Sequence, residues 1–427
     1  MPKRTDTTYR NQIMYSVFVR NHSNEGTFEG VRRDLERIKG LGVDVIWLLP
    51  IHPVGEQARK GTLGSPYAIQ DYRAVNPEYG TLEDFERLVA DIHNLGMKCV
   101  IDVVYNHTSP DSWLAKHHPE WFFHKPDGSF GNRVGDWSDV IDLDYSHDDL
   151  CTYQIETLKQ WAAIVDGFRC DVASLVPLHF WLRARDEVEK VRPGCLWLSE
   201  SIGPGFVVEC RSRGQTGLSD SEIFQAFDIS YEYDIFDNFK DYLTGNTPLE
   251  KYAEAINRQE FTYSEDYVKL RYLENHDNPR AAFIIPDKTA LVNWTAFIYF
   301  QKGMTLLYAG QEVCAEHCPS LFDKDTVDWN TGKDLTELLT CLGKIKKHPA
   351  FTNSQYEVRA LSHNILSAYH RGEKGQLLGV FSLRGECSLV RVDIPDGKYQ
   401  NMIDESAVEV RDGMLACKGN PIILEAK

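Results

Sequence analysis

No stretch of the 427 residues is apolar for long enough to span a bilayer, and no apolar core follows the basic pair Lys3-Arg4. The sequence therefore predicts neither a membrane helix nor a secretory leader. Positive charge is scarce: 46 Lys and Arg stand against 63 Asp and Glu, a formal net charge of −17. That balance argues against nucleic acid and against an anionic membrane as partners, since both are held by clustered Lys and Arg. A glycine-rich phosphate turn after an early strand is also missing, which disfavours an open dinucleotide-binding sheet. Among the ten cysteines, the run Cys314-Ala315-Glu316-His317-Cys318 has no second Cys/His pair at finger-like spacing, so it reads as a loop and not a metal site. Cys99 and Cys170 sit in apolar runs, where a reduced thiol packs as a small hydrophobe. With no leader, free thiols in a reducing, cytoplasmic compartment are expected.

What is present is a repeated unit of apolar strand, loop, amphipathic helix, Gly and next strand. Residues 13–19 form a strand candidate. Residues 27–41 then carry Phe28, Val31, Leu35, Ile38 and Leu41 at helical spacing, Gly42 ends the helix, and 43–49 is the next strand. The unit returns at 81–95, where Thr81-Leu82-Glu83-Asp84 resembles a capping box, followed by Gly96 and a strand at 98–105. Further apolar strands are predicted at 167–172, 196–200, 225–230, 269–274 and 304–308. Eight such strands alternating with helices predict an α/β chain folded as a (β/α)₈ TIM barrel.

Two segments depart from the rhythm. Residues 107–149 are aromatic and punctuated by Gly and Pro, and form a short excursion after the third strand. Its Trp121 and Phe122 are expected to make a small core, while Trp137 fits either core or site. From about 351 the helical signal stops, and short alternating stretches at 378–383, 388–394 and 421–424 predict a C-terminal antiparallel β-domain of sandwich type. The expected organisation is thus a catalytic barrel at 1–106 and 150–350, the excursion at 107–149, and a β-sandwich at 351–427.

In such a barrel the substrate meets the C-terminal ends of the strands. Strand three ends Asp102-Val103-Val104-Tyr105-Asn106-His107, strand four Arg169-Cys170-Asp171, and strand five Ser199-Glu200. Strand seven runs into Glu274-Asn275-His276-Asp277. Carboxylates with unequal proton affinities suit glycoside hydrolysis, in which one acid protonates the leaving oxygen and one carboxylate attacks the sugar carbon. Arg169, two residues from Asp171 on the same strand face, is expected to keep that carboxylate ionised. A crowded acidic setting is expected to keep Glu200 protonated.

These strand-end segments, in this order, resemble the four conserved regions of the α-amylase family of glycoside hydrolases (glycoside hydrolase family 13). Ile141-Asp142-Leu143-Asp144 resembles the short extra region before the second. The resemblance runs from about Ile13 to the C-terminus. It implies a retaining hydrolase of α-1,4-glucosidic bonds, with an α-glucan oligosaccharide as the partner molecule. Asp171 would be the nucleophile, Glu200 the acid and base, and Asp277 the stabiliser of the transition state. Tyr67, His107, Arg169, His276 and Asp102 would bind the sugar or orient the catalytic groups. A 4-α-glucanotransferase using the same intermediate, and a catalytically silent sugar-binding barrel, remain alternatives at this stage.

The family's usual calcium site does not carry over fully, because Leu175 stands where a histidine ligand is expected. The sequence therefore predicts no required cofactor and no metal there, with Asn106 bonded to backbone. The sequon Asn106-His107-Thr108 lies at a strand end, where glycosylation is not expected. A short excursion predicts a comparatively open cleft.

Overall fold

The computed structural model describes residues 4–134, 137–373 and 375–426. Eight strands close a parallel barrel: β1 (Ile13–Val17), β2 (Val45–Leu48), β3 (Lys98–Val103), β4 (Gly167–Cys170), β5 (Leu196–Ser199), β6 (Ile229–Tyr231), β7 (Lys269–Arg271) and β8 (Met304–Tyr308). Each strand pairs with its sequence neighbours, and β8 returns to β1 through pairs such as Met14 with Leu306. The strands are buried on both faces apart from Lys98. That is why they read as near-continuous apolar runs.

Several strands are shorter at their C-terminal ends than their apolar patterns suggest, because the chain bends there into the loops that carry polar groups. The sixth strand differs most. Residues 225–228 form a turn after the short helix Asp220–Ile223, with Phe227 packed against Trp181 and Trp197. Arg185 pins that turn by donating to Ala226 O and to both Asp228 oxygens at 2.6–2.7 Å. An apolar run there fills the helix layer and not the sheet.

The helix expected at 27–41 is two helices, Phe28–Arg32 and Leu35–Gly40. They part at Asp34, whose carboxylate is held by His22 Nε2 at 2.9 Å and by the Arg37 guanidinium. The helix Leu82–Asn94 begins at the capping box of Thr81 and Asp84, as its sequence predicts.

In the excursion, strands His107–Thr108 and Ile141–Asp142 pair antiparallel, and Trp121 and Phe122 are buried. The C-terminal part is a sandwich of two four-stranded antiparallel sheets. One runs β9 (Gln355–Ala360), β10 (Ile365–Gly372), β11 (Gly375–Ser382) and β16 (Ile422–Ala426). The other runs β12 (Cys387–Arg391), β15 (Met414–Lys418), β14 (Ala407–Arg411) and β13 (Gly397–Gln400). Leu378, Val380 and Leu424 face Val390, Val410 and Leu415 between the sheets. The alternate residues of β11 turn the other way, and Phe381 meets Phe297 and Phe300 of the barrel helix Lys288–Phe300. Among the described residues, no helix is long and apolar enough to cross a membrane.

Candidate active site

The parallel ladder continues one residue past β4 and β5, and this fixes the backbone of two acids. Asp171 N donates to Val103 O, and Glu200 N to Cys170 O, each at 3.0 Å. Arg169 and Asp171, two apart, point to one side of the sheet. The Arg169 guanidinium is fully buried there. Its Nη1 donates to Asp102 Oδ1 and Oδ2 at 2.9 and 3.0 Å and to Asp171 Oδ1 at 2.8 Å. Its Nη2 lies 2.8 Å from Glu200 Oε2, an ion-pair contact without hydrogen-bond alignment. The rings of Trp47, Tyr67 and Tyr231 stand 5.2–5.7 Å from the guanidinium carbon. Charge partners and aromatic faces together make its burial tolerable.

Tyr67 links two strand ends. Its hydroxyl donates to Asp102 Oδ2 at 3.1 Å and lies 2.6 Å from His276 Nε2, the rings stacked at an interplanar angle of 10°. A proton on Nε2 satisfies the relay from His276 through Tyr67 to Asp102. His276 Nε2 is also 3.1 Å from Asp277 Oδ2, and the Asp277 side chain is 40% exposed, the most open of the acids. His107 lies under Trp137, ring centroids 5.4 Å apart. All eight residues singled out from the sequence therefore gather at one end of the barrel. Tyr67, His107, Asp171, Glu200 and Asp277 line one cavity of about 330 Å³, and Asp102, Arg169 and His276 brace them through the contacts above.

Burial dominates the proton equilibria. It pushes Glu200 up to about 8 and Asp171 and Asp102 up to about 7, against the downward pull of Arg169. The sequence leads one to expect Arg169 to keep Asp171 ionised; it does pull the carboxyl down, but desolvation outweighs the guanidinium, and neighbouring carboxylates add to the rise. The order still separates the two groups, since Glu200 keeps its proton to higher pH than Asp171. Burial lowers His107 and His276 to about 4, so both are neutral hydrogen-bonding groups at pH 7.

Other site residues lay outside the reach of sequence reading. Val172, directly after Asp171, has φ 34° and ψ 44°, a left-handed conformation costly for a β-branched residue. Trp47 and Tyr231 sit in strands whose apolar character signals only core. Lys60, Asp139 and Phe322 come from loops with no local motif, yet they line the cavity. Lys60 Nζ meets Asp139 Oδ1 at 2.9 Å. The cleft is thus walled on that side, contrary to the open cleft expected of a short excursion. A long loop after β2 supplies what the excursion lacks.

The calcium position suggested by the family resemblance has poor donors. The Asn106 amide faces His107 Nδ1 at 3.2 Å, not backbone as expected. Asp142 Oδ2 accepts from Arg133 N at 2.7 Å and lies 3.5 Å from Arg133 Nη1, which also reaches Leu143 O at 3.3 Å. Leu175 offers no ligand. Among the described residues no group of three or more His, Cys, Asp or Glu is arranged to hold a metal. Asp142 Oδ1 is buried without a hydrogen-bond partner, but its other oxygen is shared with Arg133, and this set falls short of the six to eight oxygens calcium takes. At 314–318, His317 pairs with Asp325 at 2.7 Å and Cys318 Sγ donates to Asn278 O at 3.7 Å, so that run is occupied in loop contacts. Asn106, 7% exposed, has no room for a glycan.

The chain matches the model of the alpha amylase catalytic domain over residues 12–361 and that of the bacterial alpha amylase C-terminal domain over 357–424. It resembles the crystal structure of an alpha-amylase from Lactobacillus plantarum at 50% identity and a TM-score of 0.97, covering 99% of this chain and 100% of that one. A noncanonic maltogenic alpha-amylase from Thermotoga neapolitana matches at 33% identity and a TM-score of 0.87, over 98% and 99% of the two chains. The alpha-1,4-glucan:maltose-1-phosphate maltosyltransferase of Myxococcus xanthus is 31% identical over 57% of this chain, which spans only 37% of that relative's length. With its catalytic and C-terminal portions both matched, the chain belongs to the α-amylase family of glycoside hydrolases.

Proposed function

We propose that this chain is a retaining glycoside hydrolase that cleaves α-1,4-glucosidic bonds of maltooligosaccharides or starch-derived glucans. The observation that carries the reading is one buried guanidinium, Arg169, bridging Asp171 and Glu200 at 2.8 Å each beside a cavity at the small end of the usual range for ligand sites.

In the first half-reaction, Glu200 donates its proton to the glycosidic oxygen while Asp171 Oδ attacks C1, breaking the C1–O bond and forming a β-glycosyl ester. In the second, Glu200 takes a proton from water, whose oxygen attacks C1 and releases Asp171. Asp277, with its open carboxylate, binds the sugar hydroxyls and stabilises positive charge on the ring. Neutral His107 and His276 supply hydrogen bonds, and Tyr67 offers a ring face. No metal enters either step, and the donors near Asn106 support calcium-independent folding. Ten unpaired cysteines support a reducing, cytoplasmic setting.

Asp171→Asn and Glu200→Gln are expected to lose at least about 10³-fold in turnover of maltoheptaose. Near-wild-type turnover by either variant contradicts the assignment. Likeness to the maltosyltransferase favours a second reading, in which the ester passes to another sugar; oligomers longer than the substrate at high maltotriose identify that outcome.

A further inference from the structure

The wall beside Lys60 has a direction. Glu200 ends β5, and it protonates the departing oxygen, so the leaving portion of the chain exits on the β5 side. In the ring of eight strands β5 stands opposite β1, whose neighbours are β2 and β8. The segments that meet around Lys60 follow β2, β3 and β8. They therefore close the cavity on the side of the sugar that Asp171 retains, towards the non-reducing end.

That closure is built and not incidental. Thr62 N and Oγ1 both donate to Asp323 Oδ1, at 2.8 and 2.7 Å, and Leu63 N donates to Phe322 O at 2.9 Å. Buried Arg20 donates from Nη1 to Gly64 O and Leu321 O at 2.9 and 3.1 Å, tying the same two loops from below. Gly61, at φ +64°, lies so close that a Cβ would stand 2.6 Å from Phe322 Cβ. The excursion closes the remaining gap through the Lys60–Asp139 bridge. Asp139 is 8% exposed at its side chain and Lys60 35%, so the ammonium sits at the cavity rim with donors left for a sugar hydroxyl.

We propose that Lys60 and Asp139 are specificity-determining residues that cap the non-reducing side of the cavity, so that the enzyme acts from chain ends and releases a mono- or disaccharide. This rests on the hydrolase reading above, and on Tyr67, His107 and His276 holding the sugar that receives Asp171. On this proposal the bridge stands in the path an internal segment of glucan would take.

The test uses two p-nitrophenyl maltoheptaosides, one free and one blocked by an ethylidene group at the non-reducing end. The wild-type enzyme is expected to cleave the blocked substrate about tenfold or more slowly than the free one, a discrimination that lost contacts and a clash supply. Initial cleavage of the free substrate should leave the label on one or two long fragments. Lys60→Ala should narrow the blocked-to-free gap several-fold and spread the labelled fragments, and isosteric Asp139→Asn should move both readouts the same way. Equal wild-type rates on the two substrates, or variants with unchanged gap and fragment pattern, overturn the proposal while leaving the hydrolase reading intact. Failure to cleave either substrate contradicts that reading itself, and the cap with it.

Discussion

Val172 N donates to Glu200 Oε2 at 2.8 Å, so the residue next to the nucleophile holds the oxygen of the acid/base. The bond is made with Val172 in the left-handed region, and Arg169 Nη2 lies 2.8 Å from the same oxygen. A strained residue at the end of β4 thus contacts a carboxyl group carried by β5.

Val172→Gly relieves that strain, a cost of about 1–3 kcal/mol at such positions, partly offset by glycine's greater freedom when unfolded. The variant is expected to unfold within a few degrees of wild type in a thermal melt, or above it. Its kcat should fall, because Glu200 loses a rigid donor. Unchanged kcat contradicts the role given to this bond.

The ordering of Asp171 near 7 and Glu200 near 8 predicts a bell-shaped kcat/KM profile. Activity rises with pH as Asp171 ionises and falls as Glu200 loses its proton, so the optimum lies at neutral to mildly alkaline pH. Because the groups interact, the limbs belong to the pair. A profile that peaks well below pH 6 contradicts burial as the dominant influence.

Stability should also fall as pH rises. Glu200 is raised from its ordinary value of 4.5 to about 8, so the folded state keeps a proton the unfolded chain has lost. That contribution is fully present below about 4.5 and fades as pH climbs through 8. Glu200→Gln removes the titration while retaining an oxygen acceptor. It is expected to melt higher than wild type at pH 9, with the difference shrinking towards pH 5. A lower melting temperature at pH 9 contradicts this sign.

Chelation offers a separate check. A cation bound at 100 times its Kd would add about 2.7 kcal/mol, several degrees of melting temperature. Treatment with EDTA, followed by a melt and an activity assay, is expected to change neither. A drop of several degrees, reversed by calcium, contradicts the donor reading at Asn106 and Asp142.

The barrel was legible because parallel strands covered on both faces must be apolar, and the intervening helices carry their stripes openly. The site residues on β3, β4, β5 and β7 were legible because a short apolar run ending in charge is itself unusual. The turn at 225–228 was not, since its apolar residues pack in the helix layer as densely as a strand would. Nor were Lys60 and Asp139: a lysine and an aspartate 79 positions apart acquire meaning only when two loops meet. The rise of Asp171 also escaped sequence reading, because proximity to Arg169 is visible in the chain and burial is not.

Trapping of the covalent intermediate tests the central claim most directly. Glu200→Gln is incubated with 5-fluoro-α-glucosyl fluoride, whose leaving group needs no acid, and the digested protein is analysed by mass spectrometry. A glycosyl ester on the peptide containing Asp171, at that residue, is the predicted result. An adduct on another carboxylate, or turnover with inverted anomeric configuration and no ester, would contradict it.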